Sequence, residues 1–187
     1  MILESKFRVI LAALALTVPS LALDATRALS EYEYERWHMR EGLMYGAVHE
    51  IVQTSDGYIW LGTEQGLVRF NGSSFTLFDA SRTGGLVSGD VRKLYVDPQD
   101  GLLVCSSGGA GLVRYKDHQF AKVRLAGDPT VNCRTLLMDH AGNMWIGTHY
   151  GGLRIFFKDG SVRSYTTAEG LAGDAVKSII EDRRGDV

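Results

Sequence analysis

YIWLGTEQGLVRF, from Tyr58 to Phe70, returns as NMWIGTHYGGLRIF from Asn143 to Phe156, and a weaker copy, GLLVCSSGGAGLVRY, runs from Gly101 to Tyr115 between them. Each stretch follows a short alternating run and a turn containing glycine, such as Ser55-Asp56-Gly57, where Asp and Gly suit a hairpin. The turn glycines Gly57, Gly101, Gly142 and Gly185 lie 44, 41 and 43 residues apart. A repeat of that period means a propeller, a solenoid or an array.

Working outward from these stretches gives four copies, 48–79, 91–123, 133–165 and a shortened 176–187. Each complete copy reads as four short strands. The second strand carries Trp60 or Trp145, and aligning on the turn glycines puts Val104 in the same slot of the middle copy. Gly62 and Gly147 follow two residues on; Gly66, Gly111 and Gly152 open the third strand. Period-two patterning without a long helical period excludes a helical solenoid and leaves a stacked β-solenoid as the weaker alternative. The expected fold is all-β: a partial propeller of about three and a half four-stranded blades, its ring not closed within the chain. Tyr32 to Trp37 reads as an outer strand without its own blade, disordered in the isolated chain. The second blade, flanked on both sides, is expected to be the best ordered.

The chain has 187 residues, a formal charge of −2 and no basic excess, which argues against nucleic acid as a partner. Lys6 and Arg8 precede the apolar run VILAALALTV, and Pro19-Ser20-Leu21-Ala22 supplies small residues for cleavage. Residues 1–22 therefore read as a signal peptide, with an uncleaved membrane anchor as the alternative, and 23–47 as a lead-in to the repeats at 48–187. The expected location is periplasmic, or tethered to the inner membrane.

Little in the sequence suggests catalysis. Five histidines are scattered without metal-ligand spacing. Asp97 to Gly101 lacks the alternating ligands of a calcium loop, and the serine clusters lack a nucleophile elbow. No cofactor or metal site is expected. Cys105, aligned with Leu61 and Ile146, and Cys133, aligned with Val48, Val91 and Val176, read first as free thiols replacing core aliphatics. A disulfide, allowed by an oxidising compartment, is the second reading. One slot suggests a ligand. His49, Arg92, Arg134 and Lys177 follow the first apolar residue of each copy, at intervals of 43, 42 and 43. Rotation about a propeller axis would place the four on an arc able to attract a carboxylate, sulfate or phosphate; four solvated side chains paired with nearby acids is the plainer reading.

At WLGT and WIGT, each after a glycine turn and before a GL strand, the chain resembles the two-component regulator propeller repeat. That resemblance implies an exported propeller that senses a ligand, belonging to a receptor whose membrane helix and histidine kinase or diguanylate cyclase lie outside this sequence. Its partners would be a small-molecule or glycan-type ligand and the remainder of the receptor, with no enzyme activity here. A scaffold propeller binding a protein or cell-surface polymer is the alternative, and a catalytic propeller, a lyase or glycosidase, a more distant one.

Overall fold

The computed structural model describes residues 28–32, 36–37, 43, 46–79, 81, 89–97, 101–107, 111–126 and 131–187. Residues 1–22, read above as a signal peptide, residues 33–35 of the segment from Tyr32 to Trp37, and the Gly42, Gly85-Leu86 and Gly127 positions lie outside them. Residues 1–36 form one unit, in which Leu29–Glu31 makes a single 3-10 turn, and residues 37–187 form another, which holds the repeats.

Twelve strands occur among the described residues. They are β1 (Val48–Gln53), β2 (Ile59–Thr63), β3 (Gly66–Phe70), β4 (Phe75–Phe78), β5 (Val91–Asp97), β6 (Gly101–Ser106), β7 (Gly111–Lys116), β8 (Gln119–Lys122), β9 (Cys133–Met138), β10 (Met144–Thr148), β11 (Leu153–Phe156) and β12 (Val162–Tyr165). They form three separate antiparallel sheets of four strands, each in simple chain order, so each copy is one blade. β5 packs against both β1 and β9, which places the first strand of each blade along a shared inner edge. The sheets stay distinct, and neither a sandwich nor a solenoid forms.

The middle blade explains its own sequence. Strand β6 is buried on both faces, so it reads as a continuous apolar run. Leu102 and Val104 join Trp60, Leu67, Val91, Leu94 and Val113 at the junction with blade 1. Leu103 and Cys105 join Leu112, Cys133, Leu136 and Ile146 at the junction with blade 3.

The ladder corrects the alignment of that blade. Thr63, Ser106 and Thr148 pair with Val48, Val91 and Cys133, so these three residues share a slot. Counting back, Leu103 takes the slot of Trp60 and Trp145, and Cys105 that of Gly62 and Gly147; Val104 and Leu61 are the aligned pair. The turn glycines mislead because Gly101 stands ten residues after Val91, whereas Gly57 and Gly142 stand nine after Val48 and Cys133. The hairpins are equal in length, Val96 pairing with Leu102 as Gln53 does with Ile59 and Met138 with Met144, and the middle one merely adds the pair Asp97 and Gly101.

Gly62 and Gly147 mark close approach between blades. A Cβ on Gly62 would lie 3.0 Å from both the side chain and the carbonyl oxygen of Val91, and one on Gly147 would lie 2.7 Å from Val176 Cγ1. At the middle junction the same two slots hold Cys105 and Cys133, joined in a disulfide with both residues fully buried. The thiols are therefore not free, although their core position is as expected. A sulfur bridge fills the space that glycine and valine share elsewhere.

The outer face of blade 1 has no such cover at its inner strand. Ile51 is 64% exposed, while its equivalents Leu94 and Leu136 are each 2% exposed. The last copy, 176–187, carries no strand. It rests on blade 3 through the Val176 amide, which donates to the Thr148 carbonyl at 3.0 Å, and through Glu181, whose carboxylate accepts from the His140 amide at 3.0 Å and from its imidazole. The hydrogen bond to Glu181, and then its charge, hold the His140 imidazolium above the ordinary histidine range. A raised histidine contributes its stabilisation below its unfolded value and loses it as pH climbs through the folded one. Amide protection of 176–187, corrected for intrinsic exchange, is expected to fall between about pH 6 and about pH 8. His140→Gln should remove that fall; a fall of equal size in the variant would show that another group is responsible.

Candidate functional site

The basic slot of each blade is a β-bulge. Val48 pairs with Thr63 and Glu50 with Gly62, leaving His49 as the extra residue of β1. Arg92 and Arg134 are the extra residues of β5 and β9 by the same register shift. A bulge bends its strand and re-aims the side chain it inserts, and such bulges gather at rims and next to sites. All three thus leave the alternation that would send them into a blade junction.

Arg92 and Arg134 line one cleft of about 330 Å³ at the junction of blades 2 and 3, with Asp90, Ser107, Asn132 and His149. The six are three repeat slots taken twice: the residue before the first strand (Asp90, Asn132), the bulge (Arg92, Arg134), and the residue after the Ser/Thr slot (Ser107, His149). Cys105 and Cys133 lie within two residues of the walls on either side, so the disulfide fixes their separation.

The two arginines are held differently. Asp90 accepts from Arg92 Nε at 2.8 Å, stands 2.7 Å from its terminal nitrogen, and accepts from Ser107 Oγ at 2.6 Å. His49 Nε2 lies 3.4 Å from the other Asp90 oxygen, outside the cleft itself. Arg134 instead meets the imidazole Nδ1 of His149, whose ring packs edge-on against Tyr150 at 4.2 Å. Lys177 is exposed, makes no hydrogen bond or ion pair among the described residues, and does not line the cleft. The arc is thus uneven: two members share a cleft, His49 joins them through Asp90, and Lys177 stands apart. Asp90 drew no reading from the sequence, while Ser107 and His149 belong to the serine clusters and scattered histidines that gave no site there.

The repeat residues are structural. Trp60 is buried between blades 1 and 2, and its indole N–H donates to Thr54 Oγ1 at 3.0 Å. Trp145 donates to Asp139 Oδ2 at 2.8 Å. Burial works to raise the Asp139 carboxyl, but hydrogen bonds from Trp145 and Asn143 outweigh it and hold the group below its ordinary value. A larger cleft of about 590 Å³ opens at the hairpin end of the blade 1–2 junction, lined by Asp56, Asp97 and Asp117 with Lys116. Among the described residues no three His, Cys, Asp or Glu side chains are grouped to hold a metal.

Fold and site together define a class: an open run of four-stranded propeller blades whose inner strands present bulged basic residues. Residues 42–65 and 127–150 match the family model described as two component regulator propeller. Two segments of the chain, one entering blade 1 and one entering blade 3, are thus similar to that repeat. The middle copy, with its displaced turn glycine and Cys105, lies outside both matches. No curated protein matches the chain. Among solved structures, the extracellular domain of the hybrid two-component system BT3049 from B. thetaiotaomicron is similar, with a TM-score of 0.65 at 20% identity. It matches over 77% of this chain and 22% of its own. Two structures of the extracellular domain of BT4673 from the same organism, described once as a one-component and once as a hybrid two-component system, give TM-scores of 0.61 and 0.62 at 22% identity. The chain spans about a fifth of the length of these domains, 22% and 19%.

Proposed function

We propose that the chain is the ligand-sensing portion of an exported signalling receptor, itself without catalytic activity, and that the cleft between blades 2 and 3 takes an anionic small-molecule or glycan-type ligand. The observation that carries this reading is the bulge repeated in register, which turns Arg92 and Arg134 out of the blade core and into one cleft. Two convergent guanidinium groups on rigid strands suit a carboxylate, sulfate or phosphate. Three further points support an extracytoplasmic receptor. Two segments resemble the repeat of two-component regulators. The similar structures are extracellular domains of such systems. The Cys105–Cys133 bridge belongs in an oxidising compartment, to which the N-terminal segment would direct the chain as a signal peptide or anchor. Membrane helix and output module, a kinase or a cyclase, would be supplied by the rest of the receptor.

The test is a receptor carrying Arg92→Ala and Arg134→Ala together. Ligand-induced output is expected to drop at least about tenfold, the loss of roughly one charge-assisted hydrogen bond, with unchanged surface abundance. A response equal to the parent's would remove the cleft from the sensing mechanism.

A further inference from the structure

The two arginines of the cleft are not equivalent, and the difference has a consequence for how the site is regulated. Arg92 is already neutralised, since Asp90 takes two of its nitrogens and also holds Ser107. Arg134 touches no acid among the described residues; its partner is the Nδ1 of His149. A guanidinium only donates, so Nδ1 must accept, and the imidazole must be neutral with its proton on Nε2. Protonating His149 places a donor against a donor and a positive charge against a positive charge. The contact then breaks, and both groups turn their N–H bonds toward the cleft.

Building on the proposed anion site, we infer that Arg134 is the cation that holds the anion and that His149 gates it by protonation, so that the cleft binds more tightly as pH falls. An anion seated between the two accepts from the Arg134 guanidinium and from the new Nδ1–H of His149. Anion and proton therefore favour one another, and by reciprocity anion binding must draw a proton from solution. The groups around His149 set the balance. Arg134 on β9 and Arg92 on β5 oppose its charge, Asp90 favours it, and Asn132, Ser107 and the Tyr150 ring are neutral. His49 is the competing switch: its protonation would tighten the pair with Asp90 and loosen Arg92.

Sulfate is the suitable probe, because its charge does not change across the histidine range. Titration calorimetry of the purified full chain, at constant ionic strength, is expected to show sulfate binding about tenfold tighter at about pH 5.5 than at about pH 8. Heats in two buffers of different ionisation enthalpy should show proton uptake on binding. Arg134→Ala should abolish binding at both pH values while leaving the thermal transition unchanged. His149→Gln, whose amide oxygen can still accept from Arg134, should bind sulfate with no pH response; His49→Gln should keep the parent response. That pair also controls for the general rise in positive charge at low pH. Sulfate binding that is flat with pH in the parent, or that keeps its response in His149→Gln, overturns the gate. Failure of the parent to bind sulfate at either pH overturns the anion site itself.

Discussion

Replacing Cys105 and Cys133 together by serine is expected to lower unfolding stability by about 3–4 kcal/mol from loop closure alone. The bridge spans 28 residues of sequence and joins blades 2 and 3 across their junction. Two serine hydroxyls left in a fully buried junction without partners would add to the loss. The sharper comparison uses the repeat's own solution. Cys105→Gly with Cys133→Val recreates the Gly62–Val91 and Gly147–Val176 junctions, and should be more stable than the serine pair while remaining below the parent. Denaturant midpoints of the three proteins check this order. A serine pair as stable as the parent would mean that the bridge does not constrain the unfolded chain as supposed.

The second large effect concerns a single slot read at two places. Trp60→Ala is expected to cost about 3–5 kcal/mol, the range for emptying a buried aromatic site. Its indole is closed between two blades, in contact with Phe78 and Tyr115 at centroid distances of 5.6 and 4.9 Å. Trp145 holds the equivalent place in blade 3 but is only half-buried, whereas Trp60 is 1% exposed. Trp145→Ala should cost about half as much, since each blade is stabilised by its neighbours. Equal costs would deny that the junction, rather than the blade, sets the value of the indole.

The blades themselves were legible because β-structure with both faces covered leaves a period in the sequence. Strand count, blade limits and the basic slot follow from that period alone. The register of the middle blade did not, because the glycine moves one place within a turn of constant length. A better anchor was present in the hydroxyls. Thr63, Ser106 and Thr148 each donate to the carbonyl of the glycine that opens the next strand, at 2.9, 3.5 and 2.9 Å. Aligned on that pair, Cys105 falls in the slot of Gly62 and Cys133 in that of Val91, two slots that face one another across a junction, and the disulfide becomes readable. Asp90, Ser107 and His149 stayed hidden for another reason. They differ from blade to blade, and only the convergence of two neighbouring sheets gives them a shared purpose.

The sulfur bridge also decides where this molecule has freedom to move. Blades 2 and 3 are riveted, so a thermal fluctuation that parts neighbouring sheets must open at blades 1 and 2, where Lys93 reaches Glu50 at 2.9 Å, His49 stands 3.4 Å from Asp90, and a hydrophobic cluster around Trp60 and Leu94 fills the junction. Mechanical strain entering from either end would therefore pass through the riveted pair as through one solid body and be released at its unriveted neighbours.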